Sequence, residues 1–325
     1  MYQQIITYLS SFSFFNSVAF GILSLVIVGA SWCIVGAIAG KAPKLNIQME
    51  HLLLSGGIIS MIISAIFMYL SGSAFTPDTP KAALLLTLLA FFIDGVMCYV
   101  QHVGTSKAMQ HGPNGVIWAL TQSAMVFPFM VGIIFYGVQL TVLRLAGIIL
   151  LLTSLALFGG VKSDSGAAKG PWKLPTLIVL IVVIIGQVSV NIPFYYKETK
   201  GISNCFCILV MMIGYIIPAF IKLLLNKKGG FVQDMKKTFS RKEVWLCSVL
   251  LLPVAAVIAF TLQIPGMKVM GAHGLGGMCF PLMVGSCIAS FSLYSVIVLK
   301  EKLKAMELTA LILCITGLVC LCIVQ

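Results

Sequence analysis

A single stretch decides the fold class: residues 82–106 read AALLLTLLAFFIDGVMCYVQHVGTS. This stretch is longer than the roughly 20 apolar residues that an α-helix needs to cross a bilayer. Its only acidic or basic side chain besides a histidine is Asp94. A helix of this length with so little charge predicts a transmembrane span.

The rest of the chain has the same character. Of its 325 residues, 60% are hydrophobic and 9% are charged, against roughly 45–50% and about 25% in soluble domains. This composition excludes a water-soluble globular protein. We therefore expect an all-α integral membrane protein with ten transmembrane helices, at about 17–39, 51–71, 82–106, 114–136, 142–160, 174–196, 203–224, 243–267, 274–298 and 306–324.

The two halves of the chain resemble each other. Sliding the second half so that Gln263 meets Gln101 also pairs Gly266 with Gly104. Five helices in each half place the halves in opposite orientations, which predicts two inverted five-helix repeats of the kind that builds many secondary transporters. The predicted organisation is an interfacial lead-in (1–16), a first repeat (17–160), a linker (161–173) and a second repeat (174–325).

The basic residues indicate how the chain is oriented. The formal net charge is +12, but the Lys and Arg side chains lie in loops, which argues for membrane topology and against a nucleic-acid partner. Of the 21 Lys and Arg residues, 16 fall in the loops that follow the first, third, fifth, seventh and ninth predicted helices. The five exceptions are Lys81, Arg144, Lys197, Lys200 and Lys268. The positive-inside rule puts those five loops in the cytoplasm and both termini outside. We expect a multi-pass protein of the cell membrane, with a bacterial plasma or inner membrane as first choice.

Asp94 is the exceptional acid. The other eight fall in loops or at helix ends, whereas Asp94 is mid-span, where an ionised carboxylate costs about 2.5–3.5 kcal/mol. Two interpretations stay open. Asp94 carries a coupling proton or binds a cation, or it is a protonated acid that hydrogen-bonds a neighbouring helix. Helical spacing puts Gln101 on the same stripe as Asp94.

Further polar and aromatic side chains at membrane depth are candidates for substrate binding. Their amides and indoles could bind the hydroxyls or amides of a small polar solute. For each amide, an ordinary interhelical hydrogen bond is the alternative. The candidates are Ser31, Trp32, Gln101, Trp118, Gln122, Gln187, Asn191 and Gln263.

Motifs of enzymes and metal sites are missing from the sequence. It contains no HExxH, no GxSxG and no CxxC, so we expect no catalytic residues, no metal ligands and no cofactor. The expected partners are a small-molecule substrate, a proton and the lipid bilayer.

The chain resembles the drug/metabolite transporter superfamily, whose EamA-like members have ten helices in two inverted repeats. The resemblance rests on Gly104, Pro113 and Pro128 in the first repeat and on Leu299-Lys300-Glu301 before the last helix. With Leu262-Gln263, that turn is similar to the branch of rhamnose/proton symporters and sugar porters. The resemblance implies a monomeric or weakly dimeric carrier that works by alternating access.

The resulting hypothesis is a secondary active transporter of a small polar metabolite, with a sugar as first candidate. Asp94 would carry the coupling proton, and predicted helices 1, 3, 4, 6, 8 and 9 would line the cavity. One alternative is an exporter of amino acids or hydrophobic cations, in which Asp94 binds the substrate's positive charge. The other is a membrane scaffold that transports nothing.

Overall fold

The structure is a computed structural model that describes residues 13–72, 74–160, 172–225 and 230–322. Within these ranges the chain is helical, and the one β feature is an isolated bridge between Phe75 and Ile202. The α-helices are α1 (Val18–Ser31), α2 (Cys33–Lys41), α3 (Met49–Ser71), α4 (Lys81–Ala108), α5 (Asn114–Gln122), α6 (Val126–Tyr136), α7 (Val142–Gly160), α8 (Lys173–Asn191), α9 (Asn204–Leu225), α10 (Phe231–Phe239), α11 (Lys242–Leu251), α12 (Pro253–Ile258), α13 (Ile264–Ala272), α14 (Cys279–Ile297) and α15 (Ala305–Cys322).

Eight helical segments of the described chain are long and apolar enough to cross a membrane. They are Val18–Lys41, Met49–Ser71, Lys81–Ala108, Asn114–Tyr136, Lys173–Tyr195, Asn204–Leu225, Lys242–Ala272 and Cys279–Ile297. Two shorter apolar helices, Val142–Phe158 and Ala305–Leu321, coincide with the predicted fifth and tenth spans. The prediction of an all-helical, multi-pass membrane protein is confirmed, and a count of ten crossings stays a prediction.

The helices form two compact units, each with segments from both halves of the sequence. The first unit lies within Met1–Cys33, His111–Lys173 and Ile258–Gln325. In it α14 packs against α1, α5 and α15, while α7 packs along α15. Its core includes Leu25, Met270 and Met283.

The second unit lies within Ile34–Gln110 and Leu174–Val257. Here α9 packs against both α3 and α4, and α3 also packs against α11. Gly95 of α4 and Gly214 of α9 allow the two backbones to approach closely, because a Cβ on Gly95 would lie 2.9 Å from the Gly214 Cα.

Three predicted spans are interrupted. The eighth breaks at Leu252 and passes through a π-helix at Ala259–Gln263. Pro253 and Pro265 explain this, since each lacks an N–H and its ring clashes with the carbonyl four residues earlier. The fourth span contains a 3₁₀ turn at Ser123–Met125, where Pro128 acts in the same way.

The first predicted span breaks at Trp32, between α1 and α2. No proline is involved. The Ser31 hydroxyl donates to the Val28 carbonyl at 2.6 Å, and Trp32 keeps helical dihedral angles, so the interruption is a single-residue turn. The predicted lead-in is described from Ser13 and the predicted linker from Trp172; the rest of both lies outside the described residues.

Candidate functional site

Asp94 lies inside the second unit, near the middle of α4, with 4% of its surface exposed. Gly186 of α8 makes room for it, because a Cβ there would lie 2.9 Å from Asp94 Oδ1. The neighbouring Gly95 brings α4 close to α9. Small residues on three helices therefore enclose one carboxyl group within the protein.

Three further side chains, Cys98, His102 and Tyr215, form a chain of neighbours that begins at Asp94, and we call the four residues the Asp94 cluster. The Cys98 thiol donates to Asp94 Oδ1 at 3.7 Å, as the spacing of one helical turn predicts. The Tyr215 side chain of α9 lies next to Cys98. The His102 ring meets the Tyr215 ring edge-on, with centroids 5.6 Å apart.

The His102 ring has a defined tautomer. Its Nδ1 lies 2.6 Å from the Cys98 carbonyl oxygen, and a carbonyl can only accept. Nδ1 therefore carries the hydrogen, which leaves Nε2 without one when the ring is neutral. The cluster thus contains a carboxyl, a thiol, a phenol and an imidazole with a free basic nitrogen within two adjoining helices.

Asp94 has no cationic partner in the described part of the chain, where the ion pairs join His51 to Asp234 and Arg241 to Glu243. A thiol is a weak hydrogen-bond donor, so Cys98 does little to stabilise a negative charge. A buried carboxylate without a counter-ion is costly. The surroundings of Asp94 therefore favour a carboxyl group that holds its proton.

The second unit also contains three of the predicted substrate-binding residues. Gln101, 8% exposed, lies on α4 two turns beyond Asp94. Gln187 follows Gly186 on α8 and is half-buried. Asn191 donates from Nδ2 to the Gln187 carbonyl at 2.7 Å, so its amide is bonded to its own helix.

The other five predicted residues belong to the first unit. Trp118 is 3% exposed, donates from Nε1 to Cys287 Sγ at 3.3 Å and lies 5.3 Å from the Phe291 ring. Trp32 packs on the core around Leu25. The remaining three are Ser31, bonded to its own helix, Gln122, which is half-buried, and Gln263, whose Nε2 lies 3.9 Å from Met267 Sδ.

Sequence reasoning missed several polar groups that the structure buries. Tyr215 gave no signal, since one phenol in an apolar helix does not show which neighbour it faces. Glu50 and Glu307, at helix ends as expected, are nevertheless buried. Glu301 accepts from the backbone N–H groups of Asn114 and Gly115 at 2.8 and 3.0 Å, which caps the N-terminus of α5.

The described residues contain no group of three or more His, Cys, Asp or Glu side chains that could hold a metal ion. No family model matches the sequence, and no curated protein matches it. Fifteen solved chains match the fold. One, described only as a crystal structure of a protein, is 13% identical, with a TM-score of 0.53 over 94% of this chain and 96% of its own. At that identity the likeness shows the fold alone.

Proposed function

We propose that this protein is a proton-coupled secondary active transporter of a small polar metabolite, with a sugar as the first candidate, and that Asp94 carries the proton. The observation that supports this most is the Asp94 cluster. A lone acid with 4% of its surface exposed accepts a hydrogen bond from the Cys98 thiol, and no cation pairs with it within the described ranges. Intramembrane acids in such surroundings are typical of proton pathways in transporters.

The reaction step is a protonation and a deprotonation. Asp94 is buried in the described conformation, and we expect it to hold its proton there. A conformation that admits water to the carboxyl group lowers the cost of ionisation, and the proton leaves. If substrate release accompanies that change, the two movements are coupled, as alternating access requires. His102 lies two turns further along α4, and its Nε2 carries no hydrogen when the ring is neutral.

The packing of the helices supports a two-fold relation between the halves. Under the sequence repeat, α3 corresponds to α9, α7 to α15 and α5 to α14, and each of these pairs is in contact. The contact of α4 with α9 likewise corresponds to that of α3 with α11. Ala256 stands where the repeat would place a second Asp94, so only one half supplies a carboxyl group at this position.

The choice of a sugar and of the drug/metabolite transporter superfamily rests on the sequence resemblance. The strongest alternative is an exporter of amino acids or hydrophobic cations, because a carboxyl group without a counter-ion could also accept a positive charge from the substrate. The role of Asp94 differs between the two. The neutral variant Asp94→Asn should retain affinity for a sugar but lose affinity for a cation.

The test uses purified protein in vesicles that contain the pH dye pyranine. Monosaccharides, beginning with L-rhamnose, are added on one side, and the dye reports proton movement that accompanies the sugar. We expect Asp94→Asn to abolish sugar-dependent proton movement. Asp78→Asn is the matched control, since Asp78 is exposed in the turn before α4, and it should behave like wild type.

Two results would count against the proposal. Undiminished sugar-dependent proton movement in the Asp94→Asn variant removes Asp94 from the coupling. If the wild-type protein binds sugar but no protons move with it, transport is not proton-coupled. Binding of a cationic amine that Asp94→Asn eliminates and Asp78→Asn retains would favour the exporter.

A further inference from the structure

Helix α10 is a short amphipathic helix in the connection from α9 to α11. Its sequence, Phe231–Phe239, reads FVQDMKKTF. Phe231, Met235 and Phe239 recur at four-residue intervals and lie on one partly buried face. Gln233, Lys236 and Lys237 lie on the opposite, exposed face. This pattern is typical of a helix in the plane of a membrane interface.

Aromatic contacts hold the apolar face of α10 against α9 and α11, its neighbours in the second unit. Phe231 meets Phe220 of α9 at 5.6 Å, and Phe239 meets Trp245 of α11 at 5.2 Å. The Trp245 indole donates from Nε1 to the Phe239 carbonyl at 2.8 Å. These contacts fix the rotation of α10, so its lysines point away from the helices that hold it.

The only acid of α10 is already paired. Asp234 accepts from Nε2 of the buried His51, at the start of α3, at 2.9 Å. The exposed face therefore has no carboxylate of its own to neutralise Lys236 and Lys237. Lys222 in the last turn of α9 and Lys242 at the start of α11 are also exposed, so basic side chains flank the helix at both ends.

The flanking helices give the depth of α10 in the membrane. Ile221 near the end of α9 is 49% exposed and Leu246 in α11 is 61% exposed. In a membrane-spanning chain such side chains contact lipid tails. Helix α10 lies between these two side chains in sequence, which places it where the acyl chains meet the headgroups. Trp245 is the kind of aromatic residue that occurs at this level.

We propose that the exposed face of α10 binds the headgroup of an anionic phospholipid. Lys236 and Lys237 would contact the phosphate, with Lys222 and Lys242 adding to the local positive potential. A basic cluster on an amphipathic helix next to transmembrane spans attracts anionic lipid. The positive-inside rule assigns this connection to the cytoplasmic leaflet. The proposal does not depend on which substrate the protein carries.

The experiment measures lipid binding to the full-length protein in detergent by native mass spectrometry. The probes are phosphatidylglycerol and phosphatidylcholine with the same acyl chains. Wild type should bind phosphatidylglycerol more tightly, and Lys236→Gln/Lys237→Gln should weaken that binding by about fivefold per lysine while leaving phosphatidylcholine unchanged. Raising the salt concentration should also weaken phosphatidylglycerol binding.

The matched control is Lys197→Gln/Lys200→Gln, which removes the same charge from exposed lysines in the connection from α8 to α9. It should bind phosphatidylglycerol like wild type. Equal losses in both double variants would overturn the proposal, because net charge alone would then explain the binding. Unchanged binding in the α10 variant would also overturn it, as would displacement of the lipid by inorganic phosphate at equal concentration.

Discussion

At the scale of single residues, Glu301 has a clear structural role. Its two carboxylate oxygens accept from the N–H groups of Asn114 and Gly115, and the negative charge also opposes the positive end of the α5 dipole. One side chain before α15 therefore fixes the start of a helix far away in sequence. Hydrogen bonds to charged groups contribute about 1.5–3 kcal/mol each when the donors would otherwise be unpaired.

Glu301→Gln should lower the free energy of unfolding by about 1–2 kcal/mol, because the amide has one accepting oxygen and no charge. Denaturation of the purified protein in mixed micelles measures the loss. Glu198→Gln, at an exposed acid in the 3₁₀ turn Lys197–Gly201, is the control and should change stability by less than about 0.5 kcal/mol. Equal effects of the two substitutions would contradict the capping role.

The residues of the site could be predicted from the sequence only in part. Asp94 was identifiable because any mid-span acid is anomalous, and Cys98 follows from helical spacing. Tyr215 was not identifiable, since its meeting with Cys98 depends on the packing of α9 against α4. Trp118 was predicted to line a substrate cavity, but its indole contacts the Cys287 thiol and the Phe291 ring. The sequence pattern does not distinguish these two environments.

At the scale of elements, the contact of α4 with α9 depends on small residues. A Cβ at Gly95 would overlap the Met211 carbonyl, and one at Gly214 would lie 2.5 Å from the Phe92 carbonyl. Membrane helices associate through such close backbone approach, since lipid supplies little hydrophobic drive. The same contact brings Tyr215 to the Asp94 cluster.

Gly95→Ala should therefore destabilise the protein by about 1–3 kcal/mol, as overpacking does. Gly271→Ala is a suitable control, because a Cβ there meets nothing within 4 Å and alanine favours the helix of α13. The thermal unfolding temperature in detergent should fall for the first variant and stay or rise for the second. No fall at Gly95→Ala would show that α4 and α9 are further apart than described.

The spans were predictable as elements because hydropathy and length decide them. Their interruptions were less so. Pro253 marked the eighth span for a kink, but the sequence did not show that a π-helix would follow it. At Trp32 the sequence has no helix-breaking residue, and nothing in its pattern indicated the single-residue turn found there.

At the scale of the whole molecule, the number of crossings decides whether the halves can be inverted. Five spans per half require α7 and α15 to cross the bilayer, although they are the shorter apolar helices. If α7 crosses, Gln139 before it and Lys173 after it lie on opposite sides. By the distribution of charge, Lys173 faces the cytoplasm.

Gln139→Cys and Lys173→Cys test this with a membrane-impermeant thiol reagent in intact cells. We expect labelling above the wild-type background at position 139 and none at position 173 until the cells are opened. Both positions are exposed, so access to the side chain does not limit the reaction. Labelling of both from the same side would rule out the inverted repeat.

The central claim is that Asp94 holds an exchangeable proton inside the protein, and infrared spectroscopy of purified protein in lipid measures this most directly. At neutral pH we expect a carboxylic-acid C=O band in wild type that is lost in Asp94→Asn and kept in Asp78→Asn. A spectrum of Asp94→Asn that retains the wild-type carboxylic-acid band would contradict the claim.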